Sequence, residues 1–304
     1  MKDIEGRLMI RIDNVSKSFG DLKALDEVSF EVQKGDVFGV IGQNGAGKST
    51  LFRCMMNFYD EYTGSFTYNG IDMKKIPLER IGFLPEERAL APKNTIKDEI
   101  KYFAKLNKMK NLTDDLLEEW FNWFEIKGSL DDKIKDLSKG NQQKVQLLCA
   151  LIYGPEFVIL DEPFSGLDPY NISLLEGIIK DINKKGTTII FSSHNMENVE
   201  SLCNRLIMLK KGKIVLKGSP REIRDSYERK KLVIESKEDL SFLEDDQIES
   251  YKKDGDFWTF YLKDEEIGKE IYKKISEKFS YVPFFSQSPP TLNEIFARKV
   301  EEDE

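Results

Sequence analysis

Cysteine, histidine, net positive charge and long apolar runs are all scarce in this sequence, and each scarcity excludes something. The three cysteines, Cys54, Cys149 and Cys203, are odd in number and far apart. They fit neither a disulfide framework nor a zinc-ligand spacing, so they are expected as reduced thiols packed like small apolar residues. Histidine occurs once, at position 194. No apolar run approaches the roughly 18 residues of a membrane-crossing helix; the longest, such as residues 157–160 and 187–191, are short. The opening Met-Lys-Asp-Ile-Glu-Gly-Arg has no apolar stretch of the kind a secretory leader needs, so the chain is expected in the cytoplasm. The formal charge of -8 argues against a general attraction to nucleic-acid phosphate. No internal repeat and no low-complexity tract is present.

What is there suits a globular protein. Hydrophobic residues make up 40% and charged residues 33% of 304 residues, enough apolar material for a sizeable core. At roughly 150 residues per domain, two domains or a large one plus a small one are expected. Short β-like runs at 8–12, 28–32 and 37–41 come first, the last apolar and ending in glycine as a buried parallel strand does. Residues 65–68 alternate and close on Asn69-Gly70, a turn signal. Residues 81–84 read as another buried strand. From 95 to about 136 the pattern is helical and charged, with Trp120, Phe121, Trp123 and Phe124 read as the core of a helical subdomain. Strands return at 157–160, 187–192, 205–209 and 213–216. Alternating strand and helix implies an α/β fold with a mainly parallel sheet.

The composition shifts near Arg221. Residues 221–231 are dense in charge and read as a linker helix. Beyond them the order is strand, short helical stretch, strand, an Asp254-Gly255 turn, strand, helix and strand. That is β-α-β-β-α-β, a split βαβ (ferredoxin-like) α+β domain over 232–304. Thr291-Leu-Asn-Glu294 is a capping box that starts a last helix.

Residues 42–50 read Gly-Gln-Asn-Gly-Ala-Gly-Lys-Ser-Thr. They fit G-x-x-x-x-G-K-[S/T], with a strand before and a helix after. A triphosphate carries dense negative charge and needs several donors at once. Gly42, Gly45 and Gly47, with Asn44 and Ala46 between them, let backbone N–H groups turn inward without a Cβ in the way. The start of the next helix adds its dipole. Lys48 reaches the β- and γ-phosphates as a point charge, the Ser49 hydroxyl can ligate Mg²⁺, and Thr50 can donate to the α-phosphate. The chain is therefore expected to bind ATP with Mg²⁺.

Such a loop needs carboxylates nearby. The apolar run 157–160 is followed by Asp161-Glu162-Pro163. A buried strand ending in acids places them at the carboxyl edge of the sheet, where α/β sheets bind ligands. Asp161 is expected in the Mg²⁺ shell, and Glu162 as the general base that orients or deprotonates the attacking water. His194 ends the strand near 187–192, where a side chain can contact the γ-phosphate.

Residues 137–141 read Leu-Ser-Lys-Gly-Asn, which resembles the Leu-Ser-Gly-Gly-Gln signature of ATP-binding cassette (ABC) proteins. Its distance upstream of Asp161 fits that family, as do Ser165-Gly166-Leu167-Asp168 and Ser193-His194. The resemblance covers about residues 8–220. It implies an ABC-type P-loop ATPase domain over 1–220, with an antiparallel β subdomain beside the core sheet and a helical subdomain near 88–155. It also implies that Phe19 stacks on adenine. Two cassettes, alike or different, would dimerise head to tail around two ATP molecules. Ser138, Gly140 and Asn141 of one chain would complete the phosphate loop of the other, with residues 165–168, including Asp168, lying across the interface. His194 would steady the γ-phosphate. Attached transmembrane permease subunits, on separate chains, would hold the pair at the inner face of the membrane and be driven by its opening and closing. The segment after Pro85, with the helical subdomain, would receive them.

Three positions depart from the common pattern: Lys139 for a glycine, Asn141 for a glutamine, and Glu86 where a glutamine usually meets Mg²⁺ and water. Glu86 is accordingly a candidate metal contact. Gly-Phe-Leu-Pro-Glu-Glu-Arg at 82–88, the modified signature and the appended domain are similar to ATPases paired with ABC-2-type permeases, which export sodium, drugs or peptide antibiotics. The competing class is an ABC ATPase acting on ribosomes or nucleic acid. A single phosphate loop, about 90 residues from loop to signature without sustained heptads, and the acidic balance argue against it.

Overall fold

The computed structural model describes residues 8–302; the opening segment read above as lacking a leader lies outside them. The chain divides into two compact units, one ending at Ser219 and the other beginning at Pro220.

The first unit opens on an antiparallel pair, β1 (Leu8–Phe19) and β2 (Leu22–Gln33). Both are far longer than the runs 8–12 and 28–32 suggest. Register shifts between Ile12 and Val15 and between Val15 and Lys17, with Asn14 and Glu27 at positive φ, break the two-residue alternation that marks a strand. Next come β3 (Val37–Ile41), α1 (Lys48–Met55), β4 (Thr63–Tyr68) and β5 (Ile71–Asp72). The strands β2, β1, β4 and β5 form an antiparallel sheet in that order.

Then follow β6 (Ile81–Leu84), three helices α2 (Ile96–Leu106), α3 (Asp114–Trp123) and α4 (Lys139–Leu151), and β7 (Phe157–Leu160). The unit closes with α5 (Pro169–Lys184), β8 (Thr188–Ser193), α6 (Met196–Leu202), β9 (Arg205–Lys210) and β10 (Lys213–Gly218). The central sheet runs β10-β9-β3-β8-β7-β6, parallel except for β10. Every residue of β3, β7 and β8 is buried; β3 and β7 accordingly read as unbroken apolar runs, whereas β8 opens on Thr188 and ends in two buried serines. A single core joins the two sheets, with Phe30 of β2 stacked on Phe38 of β3 at 5.1 Å.

Side-chain oxygens of Thr95, Thr113 and Ser138 cap α2, α3 and α4. The aromatic run at 120–124 is less buried than its reading as a core suggests. Only Phe124 is fully enclosed; Trp120 stacks on it and Trp123 meets it edge-on, with the Lys185 ammonium 4.8 Å over the Trp123 ring. The three cysteines are free and buried. Burial pushes the Cys54 thiol up to about 11 and the Cys203 thiol up to about 12, so they pack as inert thiols.

In the second unit the charged segment forms a helix only over α7 (Pro220–Asp225). The Ser226 hydroxyl turns back onto the Ile223 carbonyl where the helix stops. Then come β11 (Lys231–Glu235), β12 (Ile248–Asp254), β13 (Phe257–Leu262), α8 (Ile267–Lys278), β14 (Phe284–Ser288) and α9 (Leu292–Glu301). The sheet is wholly antiparallel in the order β12-β13-β11-β14. This is the split βαβ arrangement, its first helix reduced to a single turn at Ser241–Leu243. The capping box is present: the Glu294 N–H donates to Thr291 Oγ1 at 3.2 Å, and the Thr291 N–H donates to Glu294 Oε2 at 2.8 Å.

Candidate nucleotide-binding site

The parallel strands deliver the polar residues to one edge. β3 runs into Gly42, β6 into Pro85 and Glu86, β7 into Asp161 and Glu162, and β8 into His194. Backbone shape dictates the loop between β3 and α1. Gly42 sits at φ 156, and a Cβ there would lie 2.5 Å from the Leu209 carbonyl oxygen. Gly47, at φ 109, caps α1 without a side chain, which leaves the first-turn N–H groups for a ligand. The loop is pinned from behind by the Gly212 N–H, which donates to the Ala46 carbonyl at 3.0 Å.

Lys48 is buried across the loop. Its ammonium donates to the carbonyls of Gly42 (2.8 Å) and Gln43 (3.3 Å) and lies 3.3 Å from Glu162 Oε1. Both members of this ion pair are less than a tenth exposed, so removing either would leave the other buried without its counter-charge. The second Glu162 oxygen meets His194 Nδ1 at 2.9 Å. The His194 side chain is 58% exposed. Beside them, the Ser192 hydroxyl donates to Asp161 Oδ1 at 2.6 Å and accepts the Glu162 N–H at 2.7 Å. Burial holds the Asp161 carboxyl above its usual range, and the Glu86 and Glu162 carboxylates add to this; hydrogen bonds from Ser192 and Ser49 pull the other way. The Ser49 hydroxyl also lies 3.4 Å from Glu86 Oε2, so the two carboxylates compete for its one proton.

A cavity of about 400 Å³ opens over the loop. Phe19, Asn44, Gly45, Gly47, Lys48, Ser49, Thr50, Glu86 and Glu162 all line it. Phe19 is 43% exposed and meets Tyr59 edge-on at 5.3 Å. Leu22, Lys23 and Ala24 from the start of β2, and Lys211 and Gly212 from the β9–β10 turn, complete the walls. Sequence reasoning missed these five, because segments distant in the chain become neighbours only through the sheets.

The other expected residues form a separate cluster. Ser138 caps α4 and accepts the Asn141 N–H at 3.3 Å. A Cβ on Gly140 would meet the Leu167 and Asn171 side chains. Asn141 exchanges hydrogen bonds with the Lys127 backbone, and Asp168 caps α5 through Asn171. None of these four lines the cavity. The body of α4 ties them to the site instead. Gln143 Nε2 donates to the Pro163 carbonyl at 3.0 Å, and Gln146 Nε2 donates to the carbonyls of Pro85 and Glu87, both at 3.2 Å, on either side of Glu86. These two buried glutamines, three residues apart on a helix, were the sequence signal for that contact.

The arrangement is a phosphate cradle with a carboxylate and an imidazole at its edge. Residues 25–165 match the ABC transporter family, and residues 218–300 match the C-terminal domain of DrrA1-3-like ATP-binding proteins. The uncharacterized ABC transporter ATP-binding protein YhaQ of Bacillus subtilis is 40% identical over 294 residues, covering 96% of this chain and 98% of that protein. Nod factor export ATP-binding protein I of Rhizobium meliloti is 32% identical, over 71% of this chain and 66% of its own length. A solved ATP-binding subunit of an ABC transporter superposes with a TM-score of 0.65 at 27% identity, covering 72% of this chain and 92% of that one. Among the described residues no helix is long and apolar enough to cross a membrane. The chain belongs to the ATP-binding proteins of ABC transporters and is the ATP-hydrolysing subunit of such a system.

Proposed function

We propose that this subunit powers an exporter and that Glu162 is the base for hydrolysis. The observation that carries the catalytic reading is the placement of one buried carboxylate between Lys48, at 3.3 Å, and His194, at 2.9 Å, on the rim of the phosphate cradle. Lys48 donates to two loop carbonyls and pairs with Glu162. An entering triphosphate offers it a stronger partner, which frees the Glu162 carboxylate for a water. Glu162 takes a proton from that water as its oxygen attacks the γ-phosphorus. The bond to the bridging oxygen breaks, giving ADP and phosphate. His194 donates to the γ-phosphate, and Phe19 stacks on the base.

The Ser49 hydroxyl lies 3.4 Å from Glu86 Oε2 and beside Asp161. One hydroxyl with two carboxylates suits Mg²⁺, which keeps several waters and binds through one or two carboxylates plus substrate phosphates. Ser49, Asp161 and Glu86 would hold it, and when bound it neutralises charge across the β- and γ-phosphates.

Ser138, Gly140 and Asn141 lie outside their own chain's cavity. This supports their use on the ATP of a second cassette, the same chain or a different one, with Asp168 at that contact. Export is supported by the Nod factor export relative. The subunit would work on the cytoplasmic face of the membrane, held there by separate permease chains.

The test is affinity purification of the tagged full chain from detergent-extracted membranes. A multispanning membrane protein in stoichiometric amount, with ATP hydrolysis in the complex, is the expected result. Recovery with ribosomal RNA and no membrane protein would replace this reading with the ribosome-associated one.

A further inference from the structure

We infer that Ser192 is the positioning residue of the catalytic edge: one buried hydroxyl that fixes Asp161 and Glu162 together. The inference rests on the reading of Glu162 as the base. Ser192 stands on β8 with no solvent exposure. The neighbouring parallel strand β7 ends in the two acids, with Leu160 paired to Phe191. A serine hydroxyl has one proton to give and lone pairs to accept with. Here the proton goes to Asp161 Oδ1 at 2.6 Å, and a lone pair takes the Glu162 N–H at 2.7 Å. The flanking Ser193 cannot share the task, because its hydroxyl is engaged with the backbone of Asn195.

The second of those bonds bears on geometry as well as on satisfaction. Glu162 sits at φ 49, in the left-handed region that a residue with a side chain occupies only when its surroundings insist. That turn carries the Glu162 carboxylate to Lys48 and His194. Its N–H is buried, and Ser192 Oγ is its partner. Without the hydroxyl the buried N–H loses the partner it has here and must find another acceptor. The φ then relaxes toward the ordinary region and swings the carboxylate off line. Asp161 keeps its place at the end of β7, because its own N–H donates to the Leu84 carbonyl at 2.8 Å. The loss therefore falls mainly on Glu162 and on turnover, and little on nucleotide affinity, which the phosphate loop supplies.

The experiment compares wild type, Ser192→Ala, Ser192→Thr and Glu162→Gln in steady-state ATP hydrolysis. kcat is expressed per binding site counted with a fluorescent ATP analogue, and melting is followed in parallel. A misplacement of about 1 Å costs on the order of 100-fold in rate, so Ser192→Ala is expected to lower kcat by about tenfold or more. KM should stay within about twofold, and Ser192→Thr, which keeps the hydroxyl, should stay within about threefold of wild type. Counting by binding sites removes any loss caused by unfolded protein, so a purely structural role would leave kcat per site unchanged. If Ser192→Ala does not fold, Ser192→Cys, of similar volume and with a weak donor, takes its place with the same expectation. A kcat per site within twofold of wild type in the hydroxyl-free variant overturns the inference, as does a folded Ser192→Thr that falls as far as alanine. Normal turnover in Glu162→Gln would instead overturn the assignment of the base. A dead Glu162→Gln beside an unaffected Ser192→Ala would sink the positioning role alone.

Discussion

Lys48→Ala is expected to raise the dissociation constant for ATP by about 100-fold or more and to take hydrolysis to background. A charge-assisted hydrogen bond contributes about 1.5–3 kcal/mol. A lysine reaching two phosphates supplies two of them, about 3–6 kcal/mol in all, and each 1.4 kcal/mol is tenfold. The substitution has a second consequence in the nucleotide-free protein. The ammonium is the cation that faces Glu162 Oε1, a buried oxygen without any hydrogen-bond partner. Removing one member of a buried pair strands the other, at about 3 kcal/mol. Titration calorimetry with ATP and a thermal melt without it separate the two effects. An ATP affinity within threefold of wild type would contradict the role given to Lys48.

Gly47→Ala should be nearly as damaging, and by a different route. At φ 109 a side chain is strained before any contact is considered, and its Cβ would stand 2.5 Å from the Ala24 carbonyl oxygen. Backbone strain of about 1–3 kcal/mol and overpacking of similar size act together. About 3 kcal/mol at 2–4 °C per kcal/mol lowers the melting temperature of a unit this size by about 6–12 °C. The contact is with the start of β2, which walls the cavity, so ATP binding should weaken as well. Gly45→Ala is the internal control. Gly45 also has positive φ, 81, but nothing lies within 4 Å of its added Cβ. About 1 kcal/mol is expected there, a shift of about 2–4 °C. Equal melting temperatures for the two variants would show that contact with Ala24 does not constrain the loop.

The phosphate loop and the two acids were legible because their chemistry is local in the chain. Nine consecutive residues make the cradle, and Asp161 and Glu162 follow their strand directly. Ser192 was not legible. A serine inside a buried strand looks like any small strand residue, and its role arises only when β8 pairs with β7 and sets it beside acids 30 residues away. Lys23 and Lys211 were hidden for the same reason, since the start of β2 and the β9–β10 turn meet the cavity only after both sheets form. The long strands β1 and β2 were concealed by bulges that reset the alternation. The C-terminal unit was readable from the Asp254-Gly255 turn between two strands and from β11, which alternates between buried and half-buried positions; β12 is exposed beyond Ile248. The short helical stretch near 240–243 is present as a single turn, and the linker helix proved shorter than its charge suggested.

Hydrolysis by wild type against Glu162→Gln, with ATP binding measured on the same samples, addresses the central claim most directly. The amide keeps the size of the side chain and removes its ability to take a proton. General-base catalysis contributes about 10²–10⁴-fold. Turnover should therefore fall by about 100-fold or more, while ATP affinity stays within about threefold of wild type. Equal hydrolysis by the two proteins would contradict the account of Glu162, and with it the chemistry assigned to the edge where Lys48, Glu162 and His194 meet.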